Sequence, residues 1–159
     1  MSSDIILYMN KRKLNRWLDK NASKVEIKYE DEWCYIAPDS IITISKDKPH
    51  DLNWYIDFCK SKGLKYDISW YTLCLLHEIG HDQTVYFLEE WEYKLDFLGT
   101  RLTSLYSFTR FGLWLKCQFY FRLPTEIAAT EWAVNFINNN YDEVIKLENI
   151  LKEDFECNQ

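Results

Sequence analysis

The run His77-Glu78-Ile79-Gly80-His81 stands directly after an apolar stretch, Tyr71-Thr72-Leu73-Cys74-Leu75-Leu76. The stretch predicts a buried helix, and the run continues it. Residues four apart on a helix differ by about 40° in direction, so His77 and His81 project from one face. The chain has three histidines, and two of them are here. A pair of surface histidines on an ordinary helix is the blander reading. The apolar flanks argue against it, because charged residues inside an apolar helix need a purpose. Two imidazoles on one face can bind one metal ion. Glu78, near the same face, can take a proton from water that the ion acidifies. This H-E-x-x-H pattern is the signature of zinc-dependent hydrolases, most often peptidases.

A catalytic zinc site takes three protein ligands and leaves one position for water. His50 is the remaining histidine, and it precedes the pattern in a loop-like segment. The spacing H-E-x-x-H-x-x-G-x-x-H would require histidine where the chain has Phe87, which excludes that class. A carboxylate is the better third ligand. In residues 124–137, Glu126 precedes Ala129 by about one helical turn. The small side chains of Ala128, Ala129 and Ala133 let this helix lie close against the metal helix. Gly80 fits the same idea: a helical glycine costs about 1 kcal/mol relative to alanine, and makes sense where another segment passes near. A glutamate in a helix's first turn can also be a simple solvated charge favoured by the dipole. Glu131, on the same segment, is the rival ligand.

Around this centre the pattern changes character once. Residues 5–20 place Ile6, Leu7, Leu14, Trp17 and Leu18 among charges, as an amphipathic helix does. Residues 24–30 alternate strictly, residues 33–37 form a second strand, and residues 41–45 are rich in β-branched side chains. Together they predict a small antiparallel three-stranded sheet. After Lys46-Asp47-Lys48-Pro49 the pattern is helical. Asp51 caps a helix to about Lys60, and Asp67 or Ser69 caps the metal helix. Residues 84–98 follow, with Glu89, Glu90 and Glu92 on a solvated face. Residues 100–121 are aromatic, with a break near Gly112, and read mainly as core packing. Pro124 opens a helix to about Asn138, and a last helix runs over residues 142–155. The expected fold class is α+β, with the small sheet packed on a mainly helical domain that spans residues 1–159. No internal repeat or domain boundary is evident.

HEIGH followed downstream by E-I-A-A-T-E-W-A resembles the ImmA/IrrE family of zinc metallopeptidase domains. Members read H-E-[LI]-G-H and then roughly E-x-x-A-x-x-[FW]-A. On that pattern Glu126 matches the metal-binding glutamate, Ala129 the small residue, and Trp132-Ala133 the aromatic–small pair. A small sheet ahead of the metal helix matches as well, so the resemblance covers roughly residues 24–137. Ala128 departs from the pattern, which often has an acidic residue there, and the gap between His81 and Glu126 is long. The resemblance implies cytosolic regulatory proteolysis of a protein partner, often in bacteria, their phages or mobile elements.

Composition narrows the alternatives. A formal net charge of −6 argues against nucleic acid as the main partner. The basic cluster Lys11, Arg12, Lys13, Arg16 and Lys20 reads as the solvated face of the first helix. The five cysteines, at 34, 59, 74, 117 and 157, are odd in number and widely spaced, as free thiols in a reducing compartment would be. The N-terminus lacks the features of a signal peptide, and the apolar run of residues 111–121 is too short to span a bilayer. A cytoplasmic protein is expected, with neither membrane nor nucleic acid as partner.

The expected activity is zinc-dependent hydrolysis of a protein or peptide substrate, with Zn2+ on His77, His81 and Glu126 and with Glu78 as general base. A donor for the tetrahedral oxyanion is also needed, and His50, Tyr71 and Tyr86 are candidates. The zinc-bound imidazoles need acceptors on their other nitrogens, for which Asp82, Thr130 and Glu131 are available. The alternative is a catalytically weak member of the fold that regulates a partner by contact alone. An intact Glu78 favours the enzyme, because a pure binder has no need of a base there.

Overall fold

The structure, a computed structural model, describes residues 3–22, 25–36, 39–87, 89–105 and 119–155. Among these are six α-helices and one three-stranded sheet, an α+β arrangement. The order is α1 (Ser3–Asn21), β1 (Glu26–Tyr29), β2 (Cys34–Ile36), β3 (Ile41–Ile44), α2 (Leu52–Ser61), α3 (Trp70–Thr84), a 3-10 turn (Val85–Phe87), α4 (Glu90–Leu105), α5 (Pro124–Asn139) and α6 (Tyr141–Phe155).

The sheet corrects the antiparallel expectation. Its order is β1-β3-β2, with β3 parallel to β1 and antiparallel to β2. Burial explains the order. Ile42 and Ile44 of β3 are fully enclosed, whereas β1 carries Glu26 and Lys28 and buries only Ile27. The most β-branched strand therefore takes the centre, and the charged strand is left on an edge, where solvent reaches it. Alternation reveals that a segment is a strand, but not which neighbour it pairs with or in which direction.

Helix α3 is enclosed on all sides: every residue from Tyr71 to Gly80 is buried. It packs mainly against α5, and also against α6 and strands β2 and β3. Leu14, Trp17 and Leu18 form the buried stripe of α1 and meet α6, where the Trp17 indole N–H donates to the Glu143 carbonyl at 2.9 Å. Asp51 and Ser69 occupy the N-cap positions of α2 and α3 without side-chain capping bonds. The Ser69 backbone N–H donates instead to Glu148 of α6 at 2.5 Å, which ties the start of α3 to the C-terminal helix.

The helix predicted over residues 84–98 is divided. Val85, Tyr86 and Phe87, all weak helix formers, make a 3-10 turn, and α4 begins afresh at Glu90. The Glu92 carboxylate accepts from the Glu89 backbone N–H at 2.6 Å, one half of a capping box. Glu92 therefore caps a helix as well as facing water. Residues 106–118, including the expected break near Gly112, lie outside the described residues, as do Cys117 and Cys157. Cys34, Cys59 and Cys74 are free thiols. Burial pushes Cys59 up to about 12 and raises Cys74 as well, which keeps both as inert apolar groups. Among the described residues no helix is long and apolar enough to cross a membrane.

Candidate metal centre

The site is built where α3 and α5 cross. A Cβ added at Gly80 would overlap the Ala129 carbonyl oxygen and stand 2.9 Å from the Ala129 Cα. Glycine on one helix and alanine on the other thus let two backbones meet. That approach brings Glu126, in the first turn of α5, over the imidazoles of α3. Pro124 at the start of α5 supplies a preset φ and gives up an N–H that has no partner in a helix's first turn.

The Nε2 atoms of His77 and His81 lie 3.2 Å apart. Glu126 Oε2 is 3.0 Å from His77 Nε2, and Oε1 is 3.6 Å from His81 Nε2. A tetrahedral zinc with bonds of roughly 2.0–2.1 Å has ligand-to-ligand edges of about 3.3 Å. The two nitrogens stand close to that edge, and Glu126 reaches one through Oε2 and the other through Oε1 at similar spacing. His77, His81 and Glu126 form a group that can hold a metal ion. The residues therefore fit a tetrahedral ion with three protein ligands.

The surrounding side chains hold this group in place. The His77 ring meets Tyr55 edge-on at 4.9 Å, and its Nδ1 lies 3.4 Å from the Thr130 hydroxyl. Thr130 is fully buried and is placed to accept the Nδ1 proton, which leaves Nε2 free to bind a metal. His81 stacks on Tyr35 of β2, whose hydroxyl donates to Asp82 at 3.1 Å. Gln83 also donates to Asp82, at 3.1 Å. Asp82 thus anchors strand β2 to α3.

Electrostatics follow from this crowding. Burial disfavours a charged Glu126, but hydrogen bonds from His77 and His81 and their charges outweigh it, so the carboxyl is held well below its usual range. Burial also works against a protonated His81, yet the bond to Glu126 and its charge raise the imidazole above its ordinary value. Glu78 is buried, and that burial raises its pKa. The imidazole charges and the Tyr35 backbone N–H pull it down only in part. A carboxyl raised in this way is a better proton acceptor near neutral pH.

Two cavities flank the group. One, of about 230 Å³, is lined by residues including Cys34, Tyr35, His81, Thr125 and Glu126. The other, of about 490 Å³, is lined by residues including His50, Asp51, Tyr55, Cys74 and His77. Glu78 lines both.

Placement sorts the remaining candidates. Glu131 is turned away: its side chain is 51% exposed, against 7% for Glu126, and it pairs with Lys62 at 2.7 Å. Five residues along a helix is a rotation of about 140°, so Glu126 and Glu131 cannot serve one face. Tyr71 is in the core, stacked on Phe155 at 4.8 Å. His50 is exposed on the wall of the larger cavity. The Tyr86 side chain lies outside the described residues. Tyr35, Tyr55 and Tyr120 surround the site without having been marked by the sequence. Tyr120 sits in an aromatic run that reads as core, and its one positional signal is that it falls just before the helix opened by Pro124. No protein-family model matches the chain, and no curated protein or solved structure matches it.

Proposed function

We propose that this chain is a zinc-dependent peptidase of the ImmA/IrrE kind, acting on a protein or peptide in the cytoplasm. The observation that carries the reading is the convergence of His77, His81 and Glu126 on one point, beside a buried Glu78 that faces two cavities. Two imidazoles and one carboxylate match zinc in ligand type, number and spacing. A zinc ion held there supplies Lewis-acid polarisation and acidifies water. The chain's own part centres on Glu78. Its carboxylate takes a proton from the attacking water as the oxygen bonds to the carbonyl carbon of the peptide. It returns that proton to the amine nitrogen as the C–N bond breaks. Thr130 and Tyr55 hold the His77 ring, and Tyr35 holds that of His81, so the ligand group is arranged before substrate arrives.

The exposed apolar face of α4, with Trp91, Phe97 and Leu98 each more than half exposed, favours a second reading. In that reading the chain regulates a partner by contact, with little hydrolysis. Glu78→Gln separates the two. It is expected to bind about one zinc per chain and to remain folded, while cleavage falls by about 10²–10⁴-fold. Full biological effect in a folded, zinc-loaded Glu78→Gln protein would exclude proteolysis as the mechanism.

A further inference from the structure

The two cavities share three lining residues, Trp33, Glu78 and Tyr120. His81 and Glu126 line the smaller cavity, and His77 the larger. An extended peptide that crosses from one cavity to the other passes its backbone over this seam, beside the base. Hydrolysis makes a second demand at the same place. As the water oxygen bonds to the carbonyl carbon, the π electrons of the C=O bond move onto its oxygen, and a positioned donor must meet that charge.

Of the donors suggested by the sequence, the Tyr86 side chain lies outside the described residues, and the other two do not stand there. Tyr71 lines neither cavity, and His50 lines only the larger one. Of the tyrosines that do line a cavity, Tyr35 lines only the smaller one and Tyr55 only the larger. Tyr120 belongs to the seam, and its hydroxyl lies within hydrogen-bonding reach of Glu126. A phenol keeps its proton near neutral pH, so the hydroxyl can act as a neutral donor.

We propose that Tyr120 is a catalytic residue whose hydroxyl donates to the carbonyl oxygen of a peptide bound across the seam and stabilises the oxyanion formed there. The inference rests on the peptidase reading above. Its rival is that Tyr120 only steadies Glu126, and the two give different results.

The test compares zinc-loaded wild-type protein with Tyr120→Phe. It measures zinc per chain, affinity for acetohydroxamate as a small oxyanion mimic, and cleavage of a quenched-fluorescent mixed-sequence peptide pool. Expected for Tyr120→Phe are unchanged zinc content, acetohydroxamate binding weakened about 10-fold, and cleavage slowed about 10²-fold. Tyr120→His, which restores a donor, is expected to recover part of the acetohydroxamate affinity. Loss of zinc from Tyr120→Phe would make the residue a support for Glu126 and overturn the proposal. Acetohydroxamate affinity equal to wild type in both variants would overturn it too. If wild-type protein binds acetohydroxamate but cleaves nothing in the pool, the peptidase reading fails, while the acetohydroxamate comparison still decides whether Tyr120 donates.

Discussion

Gly80 shows how much one missing methyl group accomplishes. What an added Cβ meets is the Ala129 backbone, which cannot swing aside as a side chain would. Gly80→Ala gains about 1 kcal/mol of helix propensity. Against that, forcing α3 from α5 costs roughly 1–3 kcal/mol and withdraws Glu126 from the imidazoles. Zinc affinity is therefore expected to fall more clearly than stability, as measured by competition with a chelating dye and by urea unfolding. An unchanged zinc affinity would mean that the helices can part without moving the carboxylate. His81 gives a prediction in pH. Its folded pKa lies above the ordinary value of 6.5, mainly because the bond to Glu126 and its charge overcome burial. A raised imidazole stabilises the metal-free fold fully below the unfolded pKa, and that contribution is lost as pH rises through the folded value. Zinc needs the neutral ring, so zinc affinity rises across the same window. Calorimetric titration in buffers of different ionisation enthalpy should show proton release on zinc binding that is larger near pH 6.5 than above the raised value. Release that is independent of pH would contradict this.

Helix α5 divides its faces sharply. Glu126, Ala129, Thr130 and Ala133 are buried toward α3, while Glu131 meets Lys62 at the surface. Glu131→Ala is expected to change stability by less than about 1 kcal/mol, since surface ion pairs contribute little, and to leave zinc binding intact. Glu126→Ala is expected to weaken zinc binding by about 10²-fold or more. Equal losses from the two substitutions would reverse the assignment of the third ligand. The sheet carries a lesson of the same scale. Among the described residues strand β2 pairs with β3 alone, and its other side meets α3 through the Tyr35 ring and backbone. The second strand expected from the sequence thereby becomes one wall of the smaller cavity.

Among the described residues most of the buried apolar side chains join in a core cluster to which α1, the sheet, α2, α3, α5 and α6 all contribute. A metal at the crossing of α3 and α5 therefore couples to the stability of that core. At a free zinc concentration about 1,000 times its Kd, linkage adds about 4 kcal/mol. Chelation is accordingly expected to lower the melting temperature by about 8–16 °C for a chain of this size, in a scanning calorimeter. A shift under about 2 °C would place the ion outside the core. Much of this was legible in the chain alone. The buried helix, the pairing of His77 with His81 and the need for an acidic partner follow from local spacing, because a helix's geometry repeats every few residues. The small residues at 80, 129 and 133 even pointed to the helix pair that meets. Only the tertiary structure could order the strands, turn Glu131 out to Lys62 and bring Tyr35 and Tyr120 beside the imidazoles. Those outcomes depend on which surfaces bury each other across long stretches of chain, and no local period encodes them.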